Sequence, residues 1–272
     1  MPNINTRPDA PLVDAHAHVW TNDMPLAPTA WHRPPAEASI EHFVQTLDTN
    51  GVTFAVIAAA SIYGTYNDYM IEACRRHRRL RTTIILRPDH PFADMKAMAD
   101  QGVVGIRLQL RNVKDIPDLS SPEYRAHLGH IAELGWHVHL HDDGARLPLY
   151  LDALEASGVK IVVDHFGRPD AETGIAGAGF QRLLRSVEKG RTWVKLSAAF
   201  RLPSEQLRAE ATAALLRHAG PERLVWGSDW PFAAFESSMD YGQAIGSLAR
   251  LVPDAAARRR IGCETPLQLY FT

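Results

Sequence analysis

The sequence predicts a (β/α)8 barrel of the TIM type, folded as one domain over residues 1–272. Three observations predict it. Short apolar runs alternate with amphipathic segments along the chain, and eight such pairs can be counted. No Gly-rich phosphate loop, the mark of an open dinucleotide-binding sheet, follows an early strand. The chain length of 272 residues suits one barrel.

The elements follow in order. Strands are predicted over 12–18, 53–59, 81–87, 103–109, 135–141, 160–166, 192–198 and 223–229. Their Val- and Ile-rich runs suit strands covered on both faces. Helical patterns fall at roughly 39–50, 66–79, 91–101, 121–134, 146–157, 177–188 and 204–218, with more helix across 238–271. A Pro-rich loop, 24–35, follows the first strand, and a second long loop, 111–124, follows the fourth. Both belong to the face where barrels build active sites.

Composition narrows the function. Apolar residues make up 46%, charged residues 22%, and the formal net charge is −2. These values fit a soluble globular protein and give no basic stripe for nucleic acid. The two dense basic runs, 75–81 and 257–260, sit near helix ends, where cations complement the dipole and face water. Cys74 and Cys263 form no CxxC pair, so no thiolate zinc site or redox motif is expected. No apolar run approaches the roughly 18 residues of a membrane span. The opening residues lack a secretory pattern. The expectation is a cytoplasmic protein, monomer or homodimer, without nucleic-acid or membrane partners.

Polar residues collect at strand ends. Alternate residues of a strand share a face, so His16 and His18 share one, as do Arg107 with Gln109, and His137 with His139 and His141. His165 closes the sixth predicted strand, Lys195 and Ser197 fall in the seventh, and Asp229 closes the eighth. His137, near its strand's start, reads as structural. Each of the others alone could be a hydrogen-bonded core residue. Together they would converge on one end of one barrel, and burying them unpaired would cost several kcal/mol. A divalent metal, a polar substrate or both would supply the partner. Imidazole and carboxylate suit zinc, and an open position would hold an acidified water.

Six stretches carry a family resemblance: "DAHAHV" (14–19), "GVVGIRLQ" (102–109), "LGWHVHL" (134–140), "VVDHFGRPD" (162–170), "WVKLSAAFRL" (193–202) and "RLVWGSDWP" (223–231). In this order they resemble the amidohydrolase superfamily, in the branch that holds pyrone-dicarboxylate, sugar-acid and muconolactone lactonases. The resemblance implies a barrel that opens a carboxylated lactone with activated water. It implies Asp229 and His165 as catalytic residues, and Arg107, Arg201, Arg111 and Ser61 as substrate contacts. It offers His16, His18, His141 and Asp229 as ligands of one divalent metal, zinc first. The pyrone-dicarboxylate lactonase has tyrosine where this chain has His141 and binds no metal, whereas metal-dependent relatives carry a ligand histidine there; His141 therefore favours a metal, with metal-free catalysis left open. That lactonase also has an arginine where this chain has Val113, which points to a different lactone. Alternatives within the superfamily are a metal-dependent decarboxylase or hydratase and a lactone isomerase. A binding protein on the same scaffold would have little use for an intact His/His/His/Asp set.

Overall fold

The computed structural model describes residues 11–272; the first ten residues of the expected domain, including the stretch read for a secretory pattern, lie outside them. Eight parallel strands run in sequential order: β1 (Leu12–Ala17), β2 (Val52–Ala58), β3 (Leu80–Ile84), β4 (Val103–Gln109), β5 (His137–His141), β6 (Lys160–Val163), β7 (Thr192–Ser197) and β8 (Leu224–Gly227). A parallel bridge from Ala17 to Trp230 brings the last strand back to the first. The backbone N–H of Asp229 donates to the His16 carbonyl at 2.8 Å, and that of His18 to the Trp230 carbonyl at 2.7 Å. This is the (β/α)8 barrel the alternation predicts.

Helices fill the connections: α1 (Ile40–Thr49), α2 (Asp68–Arg76), α3 (Phe92–Ala99), α4 (Pro122–Glu133), α5 (Pro148–Ala156), α6 (Ala178–Glu188), α7 (Glu205–Ala219) and α8 (Tyr241–Leu251). Several starts are written in the sequence. Ser39, Ser121 and Ser204 cap α1, α4 and α7 by accepting from a backbone N–H three residues on. Asp240 and Gln243 form a reciprocal capping box on α8. The helical stretch expected over 238–271 is divided: α8 ends at Leu251, and α9 (Ala255–Arg259), a π turn and α10 (Thr265–Tyr270) follow. No helix among the described residues is long and apolar enough to cross a membrane. Cys74 and Cys263 are both buried free thiols.

The main core lies between strands and helices, and includes Phe43, Leu80, Ile106, Leu140, Phe180 and Trp226. A smaller cluster joins Ala15, Val56, Val162 and Val225 to Leu269 and Tyr270 of α10. The Tyr270 ring packs on His137 and His139, with centroids 5.2 and 5.8 Å apart. His137 Nδ1 donates to the Val104 carbonyl at 2.7 Å, the structural part its position suggested.

Three strands stop two or three residues short of their predicted ends. β3 ends at Ile84, β6 at Val163 and β8 at Gly227. The residues just past the latter two leave extended backbone: His165 has φ 52° and Asp229 φ 66°. Such left-handed conformations cost a non-glycine residue about 1 kcal/mol each and concentrate at functional sites.

Candidate active site

Asp14 in β1 organises the seam between the first and last strands. It is fully buried, and its carboxylate accepts from Ser228 N at 2.9 Å, Ser228 Oγ at 2.5 Å, Tyr241 Oη at 2.7 Å and His16 N at 3.1 Å. These bonds fix the turn that carries Asp229. Gly227 is required beside them: a Cβ there would stand 2.5 Å from His16 Cβ.

Four imidazoles line the mouth in a row. Ring centroids are 4.9 Å apart for His18 and His16, 4.7 Å for His16 and His165, and 4.8 Å for His165 and His141. Asp229 Oδ1 faces three of them, at 3.4 Å from His18 Nε2, 3.5 Å from His16 Nε2 and 3.8 Å from His165 Nε2. Its other oxygen, Oδ2, accepts from Arg201 Nε at 2.8 Å. Burial alone would raise the Asp229 pKa. The Arg201 charge and the neighbouring imidazoles outweigh it, so the carboxyl is held well below the usual carboxylate range.

More buried charge lies beneath. Asp164, buried, takes Arg107 Nε at 3.0 Å on Oδ2 and faces Lys195 Nζ at 3.1 Å with Oδ1. Burial opposes its ionisation, but Lys195, His16 and Arg107 together hold it well below the usual range. Lys195 is fully buried. Desolvation pulls its ammonium down to about 8, with Asp164 resisting. His16, His141 and His165 are each pushed well below the ordinary imidazole value, first by burial. They are neutral at pH 7.

The expected substrate contacts divide. Arg201 lies at the mouth between the rings of Phe200 and Phe235, 5.0 Å from each centroid. Its Nη2 donates to the Ala233 carbonyl, and Nη1 makes no hydrogen bond among the described residues. Arg111 is on the rim, bonded to Asp143 Oδ1 at 3.0 Å, and Arg168 meets the same oxygen at 3.1 Å. Ser61 accepts from Trp31 Nε1 of the long first loop at 3.3 Å. Arg107 differs: it is 4% exposed, with Nε on Asp164, Nη1 on the Ala59 carbonyl and Nη2 on His141 Nδ1. It supports the site from below and is not an open clamp.

The expected metal set needs correction. His16, His18, His141 and Asp229 do not form one cluster. The groups whose ligand atoms lie within 4.8 Å of one another are His16, His165 and Asp229, and His141, Asp164 and His165. The first group keeps His16 and Asp229 of the expected set, while in the second the donor chemistry of His141 opposes a divalent cation. The Nδ1 lone pair of His141 is already taken by Arg107, which can only donate. Three cations (Arg107, Lys195 and Arg201) surround two carboxylates (Asp164 and Asp229), so the cradle is already one positive charge in excess. His18 and His165 both turn Nε2 towards Asp229: the Nδ1 of His18 donates to the Ala58 carbonyl at 2.6 Å, and the Nδ1 of His165 bonds Ser197 Oγ at 2.8 Å.

Sequence reasoning gave no role to Asp14, Asp164 or Arg168, although all three stand in the quoted motifs. Their signal was an acidic residue within an apolar strand run, and a cation just after one. The amidohydrolase family model matches residues 13–272. The chain belongs to the amidohydrolase family. A 2-pyrone-4,6-dicarboxylate hydrolase of Comamonas testosteroni is 29% identical over 96% of this chain and 90% of its own length. A 4-sulfomuconolactone hydrolase of Rhizobium radiobacter is 26% identical over 94% and 89%. A crystal structure of a "probable 2-pyrone-4,6-dicarboxylic acid hydrolase" from Acinetobacter baumannii, with citric acid bound, superposes with a TM-score of 0.91. It is 28% identical and covers 96% of this amidohydrolase and 99% of that chain.

Proposed function

We propose that this amidohydrolase opens a lactone that carries carboxylate groups, by attack of water on the lactone carbonyl. One observation carries the reading: a single buried carboxylate, Asp229, turns one oxygen to three imidazoles while Arg201 holds the other. This unites a base and carbonyl-binding groups at one point. The carbonyl oxygen enters the row of imidazoles, whose N–H groups stabilise the developing oxyanion. Asp229 Oδ1 takes a proton from the attacking water and returns it to the ring oxygen as the acyl bond breaks. The left-handed turn at residue 229 aims that oxygen back across the mouth. Arg201 Nη1, with Arg111 and Arg168 on the rim, binds the substrate carboxylates through planar donor pairs. Two relatives named for anionic lactones support this substrate class. No step requires a metal.

The test is a panel of carboxylated and neutral lactones, followed by proton release. Ring opening of carboxylated members is expected, with Asp229→Asn lowering kcat by about 1,000-fold and keeping the far-UV spectrum. Absence of turnover across the panel, or a near-wild-type rate in the variant, would refute the proposal. Carbon dioxide release from an aromatic acid would replace it with decarboxylation.

A further inference from the structure

Two buried cations touch the imidazoles from behind. Lys195 Nζ lies 2.8 Å from His16 Nδ1 and 2.9 Å from His139 Nδ1. Arg107 Nη2 lies 2.9 Å from His141 Nδ1. An ammonium and a guanidinium have hydrogens to give and no lone pair to receive one. Each Nδ1 facing them must therefore accept, and the single proton of each neutral ring must sit on Nε2. Asp164 Oδ1 is 3.4 Å from His16 Nδ1 and would favour the opposite tautomer. The ammonium is nearer by 0.6 Å, taking 3.4 Å against 2.8 Å, so it decides the proton's place. The Nε2 atoms of His16, His139 and His141 are all buried without a hydrogen-bond partner among the described residues. A buried N–H without a partner is costly unless a ligand completes it.

We infer that Lys195 and Arg107 are positioning residues: they fix His16 and His141 as Nε2–H donors, so that both rings present a proton to the site. His18 is held differently, with Nδ1–H on the Ala58 carbonyl and Nε2 towards Asp229 Oδ1. His16 and His141 thus donate to the substrate oxygen from either side of His165. The inference rests on the lactonase reading for what the donors bind, but the tautomers themselves do not depend on it.

The test is nitrogen-15 spectroscopy of the full-length enzyme labelled at histidine, with rings assigned by single His→Gln variants. In the wild type, His16, His139 and His141 should show a protonated Nε2 and a bare Nδ1, and His18 a protonated Nδ1. In Lys195→Met, the His16 proton should move to Nδ1, facing Asp164. In that variant kcat for lactone opening should fall about 100-fold, the size of one lost oxyanion donor, with KM within about threefold. A wild-type His16 protonated at Nδ1 overturns the inference, as does a Lys195→Met enzyme of unchanged kcat. Should the variant fail to fold, the wild-type spectrum still decides. Should no lactone be turned over, the proposed reaction falls, and the spectrum judges the tautomers independently.

Discussion

Arg201 joins two tasks in one side chain. Its Nε orients Asp229 while its remaining edge faces the mouth, and the rings of Phe200 and Phe235 hold the guanidinium between them. Arg201→Met should therefore raise KM for carboxylated lactones about 10–100-fold, the range of one lost charged hydrogen bond, and lower kcat as well. A neutral lactone should lose kcat alone. Steady-state kinetics on both substrates checks this, and unchanged KM for the anionic one would remove Arg201 from substrate binding. At this scale the sequence placed His16, His18, His165 and Asp229 at one end of the barrel. It could not place Arg107, because a cation at a strand end reads the same whether it points to solvent or to a buried carboxylate.

Single elements are held by buried or half-buried charges. Asp14 ties β1 to the turn after β8 and to α8 through Tyr241. Asp14→Ala removes the acceptor of four hydrogen bonds. It should cost about 3–5 kcal/mol, read as a lower midpoint in urea. Glu155 links α5 to α6, accepting from Arg182 and Ser186 and pairing with Lys189. Burial would raise its pKa, but these donors pull it down to about 2 from 4.5. A depressed carboxylate stabilises the fold above its unfolded pKa, and that contribution disappears as pH falls from about 4.5 through about 2. Glu155→Gln should therefore cost about 1–2 kcal/mol at pH 7 after solvent screening. The difference from wild type should vanish towards pH 2; a pH-independent difference in melting temperature would assign the loss to packing.

The barrel as a whole concentrates charge at one end. Arg107, Lys195 and Arg201 meet Asp164 and Asp229 there, and a divalent cation would raise the excess of positive charge from one to three. Prolonged dialysis against a strong chelator should leave lactone-opening activity within about twofold, well inside one kcal/mol. Loss of activity that added zinc restores would show that a metal completes the site after all.

The sequence by itself determined the barrel and the end at which its chemistry lies. Periodicity records which face of each strand is buried, and strand order follows from short parallel crossovers. Motif order determined the family. Only the tertiary structure decided the roles within the site. Which nitrogen of His16 or His141 bears a proton depends on Lys195 and Arg107, which arrive from other strands. His141, expected beside His16 and Asp229, instead groups with Asp164 and His165 and turns its Nδ1 to Arg107. Hydrogen-bond direction is a property of pairs brought together by folding, and no residue carries it alone.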